Sequence, residues 1–145
     1  MKYINLLFIS SLLTLNASAY PEYNQFNSHR SIFYVADLKD KRVENFINEL
    51  NQNKCLLDER DIKFMVVTRN GFQLPNNLFN QQQIKDMLKS YNLEESNHVG
   101  ILIGKDGKEK HRWSGEPDWS SLMLLVDDMP LRKAEMEKKK SRCVI

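Results

Sequence analysis

The sequence predicts an α/β fold: a four-stranded mixed sheet of order 2-1-3-4, flanked by helices on both faces and followed by a charged tail helix. Three observations carry this expectation. Val99 to Ile103 is a short apolar run, as a strand covered on both faces should be. It meets Gly104-Lys105-Asp106-Gly107 and returns as Lys108 to Trp113, and Asp-Gly between two extended runs is a strong hairpin signal. Upstream, a β-branched and aromatic run, an amphipathic stretch and a second apolar run follow in the order of a β-α-β unit, whose crossover is right-handed and whose strands are parallel.

The elements follow in chain order. Lys2, the apolar run Ile4 to Leu15 and the small-residue site Ala17-Ser18-Ala19 read as a secretory signal peptide over residues 1–19, too short to span a bilayer. Residues 20–29 form a polar-aromatic lead-in. Ser31 to Ala36 is the first strand, and Asp40 is placed to cap a helix whose Val43, Phe46, Ile47 and Leu50 make one apolar stripe. The pattern weakens at Asn51 to Lys54 and passes through Leu56 to Asp61 into the second strand, Ile62 to Thr68. A polar loop with Asn70-Gly71 and Pro75 precedes a second helix, Gln81 to Tyr91, with Ile84, Met87, Leu88 and Tyr91 on one face.

After the hairpin, Pro117 opens a third helix with Trp119, Leu122, Met123, Leu125 and Val126 inward, and Met129-Pro130 starts the tail helix, Leu131 to Lys140. One of Asp127 and Asp128 is expected to cap that last helix. The domain is thus bounded at 30–129, with 130–145 a basic tail helix and a disordered end. This arrangement is thioredoxin-like; a ferredoxin-like split β-α-β sandwich is the alternative.

Charge and cysteine content narrow the chemistry. The formal net charge is +2, but Arg132, Lys133, Lys138, Lys139, Lys140 and Arg142 crowd one end. Two cysteines are too few for a disulfide-stapled scaffold, so the fold must rest on its core. A redox thioredoxin needs C-x-x-C where the first strand gives way to the first helix, because the helix N-terminus lowers the thiol pKa. That junction reads Ala36-Asp37-Leu38-Lys39-Asp40, and Asn97-His98-Val99 lacks the proline that thioredoxins set beside their disulfide.

Cys55 reads first as a buried structural cysteine, next as a disulfide partner of Cys143, and last as a lone redox-active thiol. His98 and His111 fall too far apart across the hairpin to share a zinc, so neither a metal nor a cofactor is expected. Lys105, His111, Arg112 and Trp113 are the candidate binding residues, a cationic-aromatic rim suited to an acidic or sugar-like partner, set against the plainer reading of a solvated edge with one inward tryptophan. Cys143 stands one position short of a prenylation box. The basic end reads as a solubilising tail, with contact to anionic lipid or polymer left open.

Two blocks, Ile101-Leu102-Ile103-Gly104-Lys105-Asp106-Gly107 and Val126-Asp127-Asp128-Met129-Pro130-Leu131-Arg132 with Glu135-Met136, resemble the thioredoxin-like domain of unknown function 4174. Leu57 to Ile62 and Arg30 to Ala36 are similar to the family's stretches before its second strand and at its first. The resemblance runs from Arg30 to Met136; the strongly polar Lys108 to Lys110 departs from it. It implies a small secreted bacterial protein, periplasmic or extracellular, of peroxiredoxin or thioredoxin ancestry without the catalytic cysteines. It also implies kinship to domains of animal matrix proteins such as equarin and the sushi-repeat-containing proteins. It brings no catalytic residues. The function expected is a non-catalytic binding module whose partner is an extracytoplasmic protein or a polyanionic envelope component, not nucleic acid. The alternative is a one-cysteine thiol peroxidase or reductase using Cys55.

Overall fold

The computed structural model describes residues 28–37, 41–68, 73–74, 79–140 and 142–143. The signal peptide, most of the lead-in, the Asp40 cap and the Pro75 loop lie outside the described residues. The sheet has five strands in the order β3-β2-β1-β4-β5. They are β1 (Arg30–Val35), β2 (Ile62–Val67), β3 (Gln73–Leu74), β4 (Val99–Ile103) and β5 (Glu109–Ser114). The helices are α1 (Lys41–Gln52), α2 (Lys54–Glu59), α3 (Gln81–Ser90), α4 (Trp119–Asp127) and α5 (Pro130–Lys138). The expected 2-1-3-4 order is present as β2-β1-β4-β5, with β1 and β2 parallel and β4 antiparallel to both β1 and β5. The fifth strand is the correction. β3 adds two residues to the far side of β2, too few to show an alternating pattern in the sequence.

Strand alternation splits the core in two. Ile32 and Tyr34 of β1, Val66 of β2 and Leu102 of β4 face one layer, built from Val43, Phe46 and Leu50 of α1, Leu57 of α2, and Leu122, Met123 and Val126 of α4. Phe33, Val35, Met65, Val67, Ile101 and Ile103 face the other, closed by Ile84, Met87 and Leu88 of α3 with Leu93. Both faces are covered, which explains why β1 and β4 read as continuous apolar runs.

Several local expectations need correction. The weak stretch after α1 is a second short helix, α2, with Leu57 buried and Cys55 exposed. Pro117 precedes α4; the cap is Asp118, whose carboxylate accepts from the Ser121 N–H at 3.1 Å. Leu125 is not inward but 37 % exposed, because the inward stripe of α4 is taken by Leu122, Met123 and Val126. Neither Asp127 nor Asp128 caps α5, whose N-cap is Met129 with Pro130 in the first turn. Asn80 and Gln83 form a reciprocal capping box at the start of α3.

The β4–β5 hairpin reaches the register a two-residue turn would give, by another route. Gly104 and Lys108 close a three-residue loop, with Gly107 at φ 73° where a Cβ would be strained. A bulge between the Leu102 and Ile103 pairings then restores Leu102 opposite His111. Gly100 lies opposite Trp113, and the indole covers it so closely that a Cβ on Gly100 would stand 2.1 Å from Trp113 Cζ2. Gly100→Ala must therefore displace the indole. A loss of about 1–3 kcal/mol in a urea titration is expected, with a shift in tryptophan emission that an unmoved Trp113 would not produce.

Candidate functional site

Three places on the framework hold functional-type residues. The first is the corner where β1 ends. Val35 pairs with Val99, so Ala36 and Asp37 leave the sheet beside His98. His98 sits in the left-handed region at φ 54°, is 4 % exposed, and its Nδ1 lies 3.3 Å from the Tyr34 hydroxyl. Its carbonyl accepts from Gly115 N–H at 2.7 Å, which fixes the chain as it enters β4. The Tyr34 ring stacks on Phe46 at 4.2 Å and Phe46 on Trp119 at 5.8 Å; the Trp119 indole N–H donates to Glu49 at 2.8 Å. A ladder of rings thus runs from His98 to the outer side of α1, filling the space beneath the corner with apolar surface.

The cysteines lie elsewhere. Cys55, on α2, is joined to Cys143 in a disulfide. Because α2 leads into the start of β2, and β1 and β2 are parallel, Cys55 belongs to the end of the sheet opposite the corner. The expectation of a buried structural cysteine is corrected to an exposed, crosslinked one, and Cys55 is not a lone thiol. Its helix is too short and too polar on the Cys55 side to bury it.

The second place is a network of charges at that opposite end, and no pattern along the chain announced it. Arg30, 1 % exposed, donates to the Arg60 carbonyl at 2.8 Å and to both Glu135 carboxylate oxygens at 3.1 and 3.4 Å. Glu135 also accepts from Lys105 at 2.9 Å, and Lys105 reaches Asp61 at 2.8 Å. Asp61 in turn lies 2.5 Å from His29 Nδ1. Asp127 holds the two other buried guanidinium groups, Arg60 at 2.5 Å and Arg132 at 3.2 Å. Asp127 therefore bridges Arg60 and Arg132, Glu135 bridges Arg30 and Lys105 with Arg132 a further 3.8 Å away, and Asp61 joins Lys105 to the His29 ring. They tie together β1, the α2–β2 turn, the hairpin loop, α4 and α5. The tail helix is docked on the domain rather than trailing from it, and Asp127 serves this joint instead of capping α5.

Burial alone would push the Asp61 carboxyl up, but hydrogen bonds from Lys105 and His29 outweigh it and hold the group below the usual carboxylate range. Glu135 is likewise lowered, burial being overcome by Lys105 and Arg30. Lys105 is raised, because Asp61 and Glu135 outweigh its own burial.

The third place is the rim expected along β5, and strand geometry divides it. Lys105 is taken into the charge network. Arg112 donates to Glu109 at 2.6 and 2.9 Å and to the Tyr91 carbonyl at 2.6 Å, on the α3 side. Glu109 is lowered by the Arg112 hydrogen bonds against some burial. Trp113 lies on the opposite side over Gly100, half-buried, with the His111 ring 6.1 Å away and nearly parallel. Only His111 and Trp113 share a face, since neighbours along a strand point opposite ways. Among the described residues no group of three or more His, Cys, Asp or Glu side chains is arranged to hold a metal ion.

This sheet order and helix placement define a thioredoxin-like protein. The fold is similar to the reduced 2-Cys peroxiredoxin of Plasmodium vivax, with TM-score 0.51, 15 % identity, and 81 % of this chain and 72 % of that one covered. Similarity at a lower TM-score extends to StoA of Bacillus subtilis (0.44, 13 % identity, 68 % and 82 % covered). A putative thioredoxin of Neisseria meningitidis is also similar (0.42, 11 % identity, 79 % and 78 % covered). Among curated proteins no sequence match was found. The chain belongs to the family described as Domain of unknown function (DUF4174), whose model matches residues 24–135. That span takes in Arg30, Arg60, Asp61, Lys105, Asp127, Arg132 and Glu135.

Two outcomes follow from the network. Arg30→Ala leaves the Arg60 carbonyl without its donor and Glu135 with Lys105 and, at 3.8 Å, Arg132; a loss of about 1–3 kcal/mol in a urea titration is expected. Asp61 and Glu135 have folded pKa values below their unfolded ones, so their contribution is complete above about pH 5 and is lost as pH falls through the folded values. Lys105, raised when folded, contributes fully below its unfolded pKa and loses that only in strong alkali. The thermal midpoint should fall on acidification below about pH 5, and less so in a Glu135→Gln variant, which has already surrendered that carboxylate.

Proposed function

We propose that this protein is a secreted, non-catalytic thioredoxin-fold module that binds an acidic or sugar-like extracytoplasmic partner along β5. What supports the reading above all is the distance between cysteine chemistry and the corner that thioredoxins use. Cys55 and Cys143 are crosslinked to one another at the far end of the sheet, while the corner carries Ala36 and Asp37 beside a histidine whose ring meets Tyr34 at a tilt, 6.3 Å between centroids.

The binding half of the proposal rests on β5. It is an outer strand of the sheet, and Glu109, Lys110, His111, Arg112 and Ser114 are exposed along it. An outer strand presents unpaired backbone groups to an incoming chain, and flanking side chains select among the chains that fit. The leader over residues 1–19 supports the extracytoplasmic setting.

The test has two arms. Peroxide consumption and disulfide reduction are measured for the wild type and for Cys55→Ser: both should be at the level of a protein-free control, and activity lost in the variant would make this an enzyme. In parallel, His111→Ala with Arg112→Ala should abolish capture of the partner from an envelope extract without changing the circular dichroism spectrum. Capture that is indifferent to both substitutions would move the binding surface off β5.

A further inference from the structure

The large apolar side chains that the described residues leave in solvent are Leu124 (58 % exposed), Leu125 and Leu131 (53 %), and all three belong to one helix pair, α4 and α5. The same pair leads directly into Lys138, Lys139 and Lys140, all exposed. Most cations near the sheet's charged end are answered within the protein. Lys105 meets Asp61 and Glu135, Lys110 meets Asp106, Arg112 meets Glu109, and Lys133 meets Asp128. Lys138, Lys139 and Lys140 differ: no described carboxylate forms an ion pair with them, and Glu137 is the one acid in the stretch from Glu137 to Cys143. Two helical turns separate Leu131 from Lys138, which places them on one face of α5. The Cys55–Cys143 disulfide then returns the chain to α2, so the lysines are held against the body instead of trailing away.

We propose that this α4–α5 face is a docking surface for an anionic lipid bilayer, the leucines entering the interfacial layer while Lys138 to Lys140 meet headgroup charge. A soluble polyanion would use the lysines and leave the leucines idle. A second copy of the chain would cover the leucines but bring two unanswered lysine clusters together. An anionic bilayer satisfies both halves of the surface at once, as it does for interfacial helices with mixed apolar and basic faces. No described helix is long and apolar enough to cross a membrane, and the contact proposed is a peripheral one. The proposal is independent of β5, since none of its residues lies there.

The experiment is co-sedimentation of the protein beginning at Tyr20, which carries every described residue, with phosphatidylcholine vesicles containing or lacking phosphatidylglycerol. Binding is expected only to the anionic vesicles, weakening as salt is raised. Each of Lys138→Gln, Lys139→Gln and Lys140→Gln should weaken it roughly fivefold, and Leu124→Ser with Leu131→Ser should weaken it further at unchanged circular dichroism. Equal binding to neutral and anionic vesicles, or none to either, overturns the proposal. So does full binding by the leucine double variant, which would assign the lysines to a soluble polymer, or a concentration-dependent dimer that the same variant abolishes.

Discussion

One end of this molecule is organised by three carboxylates, each holding at least one Arg or Lys cation together with a second basic side chain. Glu135 joins Arg30 to Lys105, Asp127 joins Arg60 to Arg132, and Asp61 joins Lys105 to His29. Three of those cations are arginines buried almost completely. A buried guanidinium left without its carboxylate is costly, whereas the intact pair is close to neutral against a well-packed apolar alternative. The network therefore specifies geometry more than it adds stability. It decides that α5 lies against the start of β1, and that the hairpin loop reaches the α2–β2 turn. The disulfide then fixes the chain beyond α5 to α2, the helix just before that turn.

The opposite end is built on another principle. Where β1 leaves the sheet, His98, Tyr34, Phe46 and Trp119 are packed ring to ring. This is the corner at which the fold is able to place a thiol at a helix N-terminus, with its pKa lowered by the aligned backbone dipoles. Here the space is used for packing, and the sulfur chemistry is spent on a crosslink at the other end. In this thioredoxin-like architecture the buried charged groups are gathered at the joint under α5. The fold alone says nothing about activity, and the placement of these groups is what bears on it.

Surface follows from the same division. β5 is an outer strand rich in charge, and its one lysine and one arginine are answered by neighbouring acids, Asp106 and Glu109. α4 and α5 are held by the network through their inner sides, which leaves Leu124, Leu125 and Leu131 with no part in the core. The two exposed regions differ in kind, one a polar strand edge and the other a helix pair with exposed leucines that ends in three lysines.

Periodicity along the chain was enough for most of the framework. β1, β2 and β4 announce themselves as short apolar runs, α1 and α3 through the three-and-four stripe, and Asp106-Gly107 announces the hairpin. β3 and α2 did not, because two residues or one and a half turns carry no measurable period. The outward position of Leu125 is not legible either, because an almost uniformly apolar helix does not say which side is inward. The candidate rim was legible as composition, but a strand turns successive side chains to opposite faces and so parted Arg112 from Trp113.

By itself the sequence determined the thioredoxin-like class, the two-faced sheet and the cysteine-free first corner, since all three reside in local pattern and residue identity. The tertiary structure alone decided the Cys55–Cys143 partnership across 88 residues and the Arg30–Glu135 pairing across 105. Ion pairs and disulfides are set by distances in space, and a chain written in one dimension does not hold those distances until it has folded.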